Sequence, residues 1–148
     1  MKNQTYFEKT HKSSYGKPLV MIVEDETSIR LLASKFFQFN DCITNDFVNG
    51  MDAHEILAIN YGAKKKSLYS LILSDITMPH MDGIDLAERA AILAPETPFI
   101  LMTGNPQDSY PPNVREVIYK PFSFPSTIKR LLNQYVNHSV QEADNLAR

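Results

Sequence analysis

One cysteine, no tryptophan and five glycines are all that 148 residues contain of these types. Cys42 has no second cysteine, so it forms no internal disulfide and joins no cysteine metal cluster, and a reducing compartment is expected. No apolar run approaches the roughly 18 residues of a membrane span, and no signal-peptide pattern opens the chain. A cytoplasmic protein without membrane insertion is the expectation. Basic charge is scarce: 15 Lys and Arg against 17 Asp and Glu leave a net charge of −2. That offers no basic field to hold nucleic acid. The lysine run Lys64-Lys65-Lys66 is too short to change this and reads as a solvated loop. His11, His54, His80 and His138 are scattered without the spacing of metal ligands.

What is present suits a single domain with a core: 43% of residues are apolar and 22% charged. Met1 to Lys17 is polar and aperiodic, a flexible leader, and residues 139–148 form a polar tail. The folded unit is expected over residues 18–138. Within it, Leu68 to Gly83 organises the pattern. Leu71-Ile72-Leu73 runs into Ser74-Asp75 and then meets Pro79 and an Asp82-Gly83 turn. A short apolar run closed by turn residues reads as a strand buried on both faces. Asp75 then stands where that strand ends, which is where open α/β sheets place their ligand crevice.

Leu19 to Val23 is a second all-apolar strand, and it ends on Glu24-Asp25-Glu26. After it Ile29, Leu32, Ala33 and Phe36 have helical spacing, and the helix ends near Asn40-Asp41. Cys42 to Phe47 is a weaker strand. A helix from Met51 to about Ile59 buries Ala53, Ile56 and Leu57, and its exit loop, residues 60–67, carries the lysines. Ile84 to Ala94 is helical and is stopped by Pro95 and Pro98. Phe99 to Met102 is a fourth strand running into Thr103-Gly104-Asn105, and Val117 to Tyr119 a fifth closed by Lys120-Pro121. The last helix begins near Ser123 to Ser126, with Ile128, Leu131, Leu132 and Tyr135 on one face. Alternation of this kind predicts a doubly wound parallel sheet with helices on both faces.

Parallel strands bring their carboxyl ends to one edge, so Glu24, Asp25, Asp75, Thr103 and Lys120 should meet there. Carboxylates gathered within a few Å repel unless a cation or shifted pKa values relieve them. Hard oxygen ligands in that number suit Mg²⁺. A lysine beside them makes a phosphoryl group the natural ligand, since its transfer asks mainly for positioning and charge neutralisation. A carboxylate can itself be the nucleophile.

The set Glu24-Asp25, Asp75 followed by MPHMDG, Thr103-Gly104 and Lys120-Pro121 resembles the receiver domain of two-component response regulators over about Pro18 to His138. The resemblance implies a flavodoxin-like, five-stranded sheet, with Asp75 as phosphoacceptor. It implies Mg²⁺ held by Asp25, assisted by Glu24, with Asp75 and the backbone carbonyl of Thr77. Lys120 would pair with the phosphoryl oxygens, Thr103 would swing onto them, and the Lys120-Pro121 bond would be cis. The implied function is a stand-alone switch. It takes its phosphoryl group from a phosphohistidine on a sensor histidine kinase or histidine phosphotransfer protein and signals through a downstream protein target. Catalysis is confined to its own phosphorylation and dephosphorylation.

Two departures from the family pattern stand out. Only 16 residues, three of them proline, separate Thr103 from Lys120, so the fourth helix should be short, distorted or missing. Many receivers also carry an aromatic three positions before the lysine, where this chain has Val117. Two other readings compete. One is a pseudo-receiver that binds partners without phosphorylation turnover. The other is a Mg²⁺-dependent phosphohydrolase, which usually needs a second acid two residues after the nucleophile. That position holds Thr77.

Overall fold

The computed structural model describes residues 16–64 and 67–137, together with Leu146 and Arg148. Five strands form one parallel sheet in the order β2-β1-β3-β4-β5. They are β1 (Leu19–Val23), β2 (Ile43–Phe47), β3 (Leu71–Asp75), β4 (Phe99–Thr103) and β5 (Val114–Tyr119). Four α-helices accompany them among the described residues: α1 (Thr27–Phe39), α2 (Gly50–Lys64), α3 (Gly83–Leu93) and α4 (Phe124–Leu131). This strand order is that of the expected flavodoxin-like fold. Most of the leader and of the tail lies outside the described residues. No described helix is long and apolar enough to cross a membrane.

The three central strands are buried along their whole length, which is why their sequences are apolar without alternation. Alternate side chains serve two cores. Leu19, Met21, Val23, Ile72, Phe99 and Leu101 pack with α2 and α3, while Val20, Ile22, Leu71, Leu73, Ile100 and Met102 pack with α1 and α4. The register sets Asp75 opposite Met102 and Thr103 opposite Tyr119, so the strand ends form one level edge.

Three element details differ from the sequence expectation. Helix α1 is turned about its axis, burying Ala33, Ser34 and Phe37 and leaving Leu32 42% exposed. Its apolar residues are numerous enough to support more than one face. The small Ala33 and Ser34 side chains let it approach the sheet, where the Ser34 and Thr44 hydroxyls are 2.8 Å apart. Helix α2 continues to Lys64, because Asn60 is buried and extends the Ala53, Ile56, Leu57 spacing by another turn. Lys64 is therefore helical. Helix α4 passes into a π-helical turn, Leu132–Val136. The wider turn brings Val136 into the buried stripe, and Tyr135 packs half-buried against the same core, as expected.

Between β4 and β5 there is no helix at all, in line with the proline count. Residues 104–109 are exposed, and the segment turns back inward at Tyr110.

Candidate functional site

Each residue expected at the carboxyl edge is delivered by its own strand. Asp75 closes β3, Glu24 and Asp25 follow β1, Thr103 closes β4 and Lys120 follows β5. The β4–β5 pairing runs on past the strands, for Lys120 N–H donates to the Thr103 carbonyl at 2.8 Å. The Lys120-Pro121 bond is cis, as expected. From there the Lys120 Nζ lies 2.9 Å from Glu24 Oε2 and 3.2 Å from Asp75 Oδ1. Glu24 and Lys120, 96 positions apart in sequence, thus hydrogen-bond directly.

Glu24 is 1% and Asp75 7% exposed, whereas Asp25 faces solvent. One carboxylate oxygen from each of the three lies within 4.8 Å of the others. Burial holds the Glu24 carboxyl above its ordinary value despite its bonds to Lys120 and Glu26, with Asp75 adding to the rise. Burial likewise raises Asp75, against the pull of Lys120 and with a contribution from Asp25. Burial opposes the Lys120 ammonium, but Glu24 and Asp75 outweigh it and raise its pKa. One ammonium therefore pairs with two buried carboxylates while the third stands beside them, and the cluster carries an excess of negative charge. The converging hard oxygen donors fit a divalent cation of the Mg²⁺ type, one that takes carboxylates and keeps several waters.

The loops around the cluster are fixed from beneath. Arg30 donates to the carbonyls of Glu24 at 2.8 Å and Asp25 at 3.3 Å, securing the turn into α1. Nothing in the sequence pattern singled out this arginine. After Asp75, the Gly83 N–H donates to the Ile76 carbonyl at 2.8 Å. A Cβ on Gly83 would overlap the Asp75 carbonyl oxygen and come within 2.9 Å of Ile76 Cα, so α3 starts against β3 only because that residue is glycine. Asp82 caps this helix, accepting from Asp85 N–H at 2.8 Å. Met78 and Met81 are buried in the loop and Thr77 is exposed. His80 has φ 68°, a left-handed turn residue in the same loop.

Thr103 reaches the edge, but its hydroxyl is engaged elsewhere. It donates to the Asn105 carbonyl at 3.0 Å and accepts from Asn105 N–H at 2.9 Å. Glu24, Asp75 and Lys120 are thus in contact, Asp25 stands beside them, and Thr103 faces its own loop. His54 lies away on α2, and His11 and His138 fall outside the described residues.

A five-stranded parallel sheet of order 2-1-3-4-5 thus carries three acids and a lysine at its carboxyl edge, a flavodoxin-like fold with an acidic pocket. The chain belongs to the response regulator receiver domain family, whose model matches residues 20–133. It is 34% identical to the response regulator receiver protein CpdR of Brucella abortus over 109 residues, which cover 70% of this chain and 84% of that protein. It is 29% identical to the transcription factor SKN7 of Chaetomium thermophilum, with 88% of this chain matched but only 17% of that factor's length. Among solved structures, a CheY-like receiver domain protein from Methanospirillum hungatei superposes with a TM-score of 0.70 at 19% identity. The superposition covers 84% of this chain and 98% of that one. The family is one of two-component and phosphorelay signalling modules, typically non-enzymatic, that partner with histidine kinases. The Glu24, Asp25, Asp75 cluster is typical of a receiver Mg²⁺ site.

Proposed function

We propose that the protein is a phosphorylation-controlled switch in which Asp75 accepts a phosphoryl group from a phosphohistidine on a sensor histidine kinase or histidine phosphotransfer protein. The observation that carries this reading is the Asp75 carboxylate itself. It lies at the end of the central strand, 3.2 Å from the Lys120 ammonium and among three converging acids.

In the reaction an Asp75 carboxylate oxygen attacks phosphorus as the phosphorus–nitrogen bond to the donor imidazole breaks. The imidazole leaves with the bonding electrons, and an aspartyl phosphate remains. Bound Mg²⁺ supplies neutralising charge to the carboxylates and to the phosphoryl oxygens. Asp25, assisted by Glu24, with Asp75 and the Thr77 carbonyl, would hold it. Lys120, already between Glu24 and Asp75, neutralises the incoming oxygens from the other side. The Thr103 hydroxyl turns from Asn105 to the phosphoryl group. Thr77 and Asn105 flank the approach of water and set the lifetime of the phosphoprotein. Donors meet the protein at α1, where Leu31 and Leu32 are exposed. The downstream target meets the face from Pro106 to Leu131.

Intact mass after incubation with a small phosphodonor tests this reading. One added phosphoryl group is expected, dependent on Mg²⁺ and absent from Asp75→Asn. A folded, Mg²⁺-binding protein that gains no mass would instead be a pseudo-receiver, binding its partners irrespective of phosphorylation.

A further inference from the structure

The loop after Asp75 is closed on itself and tied to both β4 and α2. Ile76 N–H donates to the Met102 carbonyl at 3.1 Å, which continues the β3–β4 pairing one residue past the strand. Gly83 N–H returns to the Ile76 carbonyl, so residues 77–82 form a ring closed by one hydrogen bond. Within it Met81 N–H donates to the Pro79 carbonyl at 2.8 Å across His80, whose φ of 68° suits a tight, strained γ-turn. The far side of the ring is held by α2. Gly50 N–H, at the first residue of that helix, donates to the Met81 carbonyl at 3.2 Å. A Cβ on Gly50 would stand 2.5 Å from that oxygen and 3.1 Å from Met81 Cβ and Cγ. Helix and loop therefore meet backbone to backbone, and a side chain at position 50 must push Met81 away. Asn49 fixes the helix start in turn, its side chain accepting from Asp52 N–H at 2.9 Å.

Thr77 lies inside this ring, and its carbonyl is the uncharged member of the ligand set proposed for Mg²⁺. A carboxylate on its own side chain can follow an ion, whereas a main-chain carbonyl points where its loop sends it. Because the ring closes at Ile76, next to Thr77, a displacement of Met81 is passed on to that carbonyl. Mg²⁺ demands near-octahedral oxygen geometry, while Ca²⁺ accepts larger and looser shells. The aim of the Thr77 carbonyl therefore matters more to Mg²⁺ than to Ca²⁺.

We propose that Gly50 is a positioning residue for the metal site: by admitting the Met81 carbonyl against the start of α2, it sets the ring that aims the Thr77 carbonyl. This rests on the Mg²⁺ ligand role proposed for Thr77. Gly50 adds no ligand atom of its own and acts through its N–H and its lack of a side chain.

Calorimetric titration of the full chain with Mg²⁺ and, separately, with Ca²⁺ tests this without any phosphodonor. Gly50→Ala should weaken Mg²⁺ binding by about tenfold or more, the usual effect of disturbing groups that orient a metal's ligands, and Ca²⁺ binding by less. Gly62 lies in the same helix with open space around its Cβ position, so Gly62→Ala should leave both affinities unchanged. A role for Gly50 in stability alone would move neither affinity while the variant stays folded. Resonances of the labelled, unsubstituted protein give a second test that does not depend on any variant folding. As Mg²⁺ is added, the Gly50 amide should shift in step with the Thr77 carbonyl carbon, and the Gly62 amide should stay in place. Unchanged Mg²⁺ affinity in folded Gly50→Ala, or an equal loss for the two ions, would overturn the proposal. A Gly50 amide that stays still while Thr77 shifts would overturn it and spare the ligand role of Thr77. Thr77 unmoved beside bound Mg²⁺ would overturn both and leave Asp75 untouched. An unsubstituted protein that binds no Mg²⁺ would overturn the metal site as a whole.

Discussion

Lys120 holds the site in order at rest, and in the proposed transfer its charge would meet the phosphoryl oxygens. Its ammonium bridges Glu24 and Asp75, two buried acids with raised pKa values. Replacing it with methionine keeps the aliphatic stem but removes the charge that would meet the phosphoryl oxygens. Removal of one such preorganised group typically lowers a transfer rate by about 10²-fold. Lys120→Met should therefore slow phosphorylation by a small-molecule donor to that degree with the fold retained, as read by phosphoprotein formation and circular dichroism. A variant that is phosphorylated at the original rate would remove Lys120 from the mechanism.

The elements show what a sequence can and cannot disclose. The three central strands were legible because burial on both faces makes them continuous apolar runs, and their acidic or hydroxyl ends followed from the shared direction of parallel strands. The missing helix was legible from the prolines at 106, 111 and 112. The facing of α1 was not, because Leu31, Leu32, Ala33, Phe36, Phe37 and Phe39 satisfy more than one helical stripe, and only packing of Ala33 and Ser34 on the sheet selects among them. Arg30 was illegible for another reason, since it acts on main-chain atoms of a loop whose path the sequence does not specify. Gly83 falls between these cases: its place in a turn was clear, its contact with β3 was not. Gly83→Ala should destabilise the protein by about 1–3 kcal/mol, because overpacking against backbone cannot be relieved by a rotamer change. Denaturant melts would measure it, and an unchanged midpoint would show that α3 can move off β3.

For the whole molecule, the acidic edge is a liability in the absence of a cation. Glu24 and Asp75 keep their protons in the folded chain at pH values where the unfolded chain has released them. The folded state then binds more protons, so stability falls as pH rises from the ordinary carboxylate range through the raised values. Cation-free protein should melt at a lower temperature at neutral pH than at the acid end of that window. Mg²⁺ should reverse the loss, by about 2.7 kcal/mol at a hundredfold excess over its dissociation constant. Asp75→Asn should be less sensitive to pH in this window. Thermal melts with and without Mg²⁺ would settle the sign, and stability rising with pH in the cation-free protein would contradict the electrostatic account.

Phosphorylated Asp75 would be an acyl phosphate, and the chemistry of that group allows its position to be read directly. Borohydride reduces the carbonyl of such a mixed anhydride to an alcohol, converting the phosphorylated aspartate to homoserine and leaving ordinary carboxylates intact. Peptide mapping by mass spectrometry after Mg²⁺-dependent phosphorylation and reduction should place homoserine at residue 75 and nowhere else. Homoserine at residue 25, or an unreduced chain carrying its phosphate on another side chain, would contradict the account.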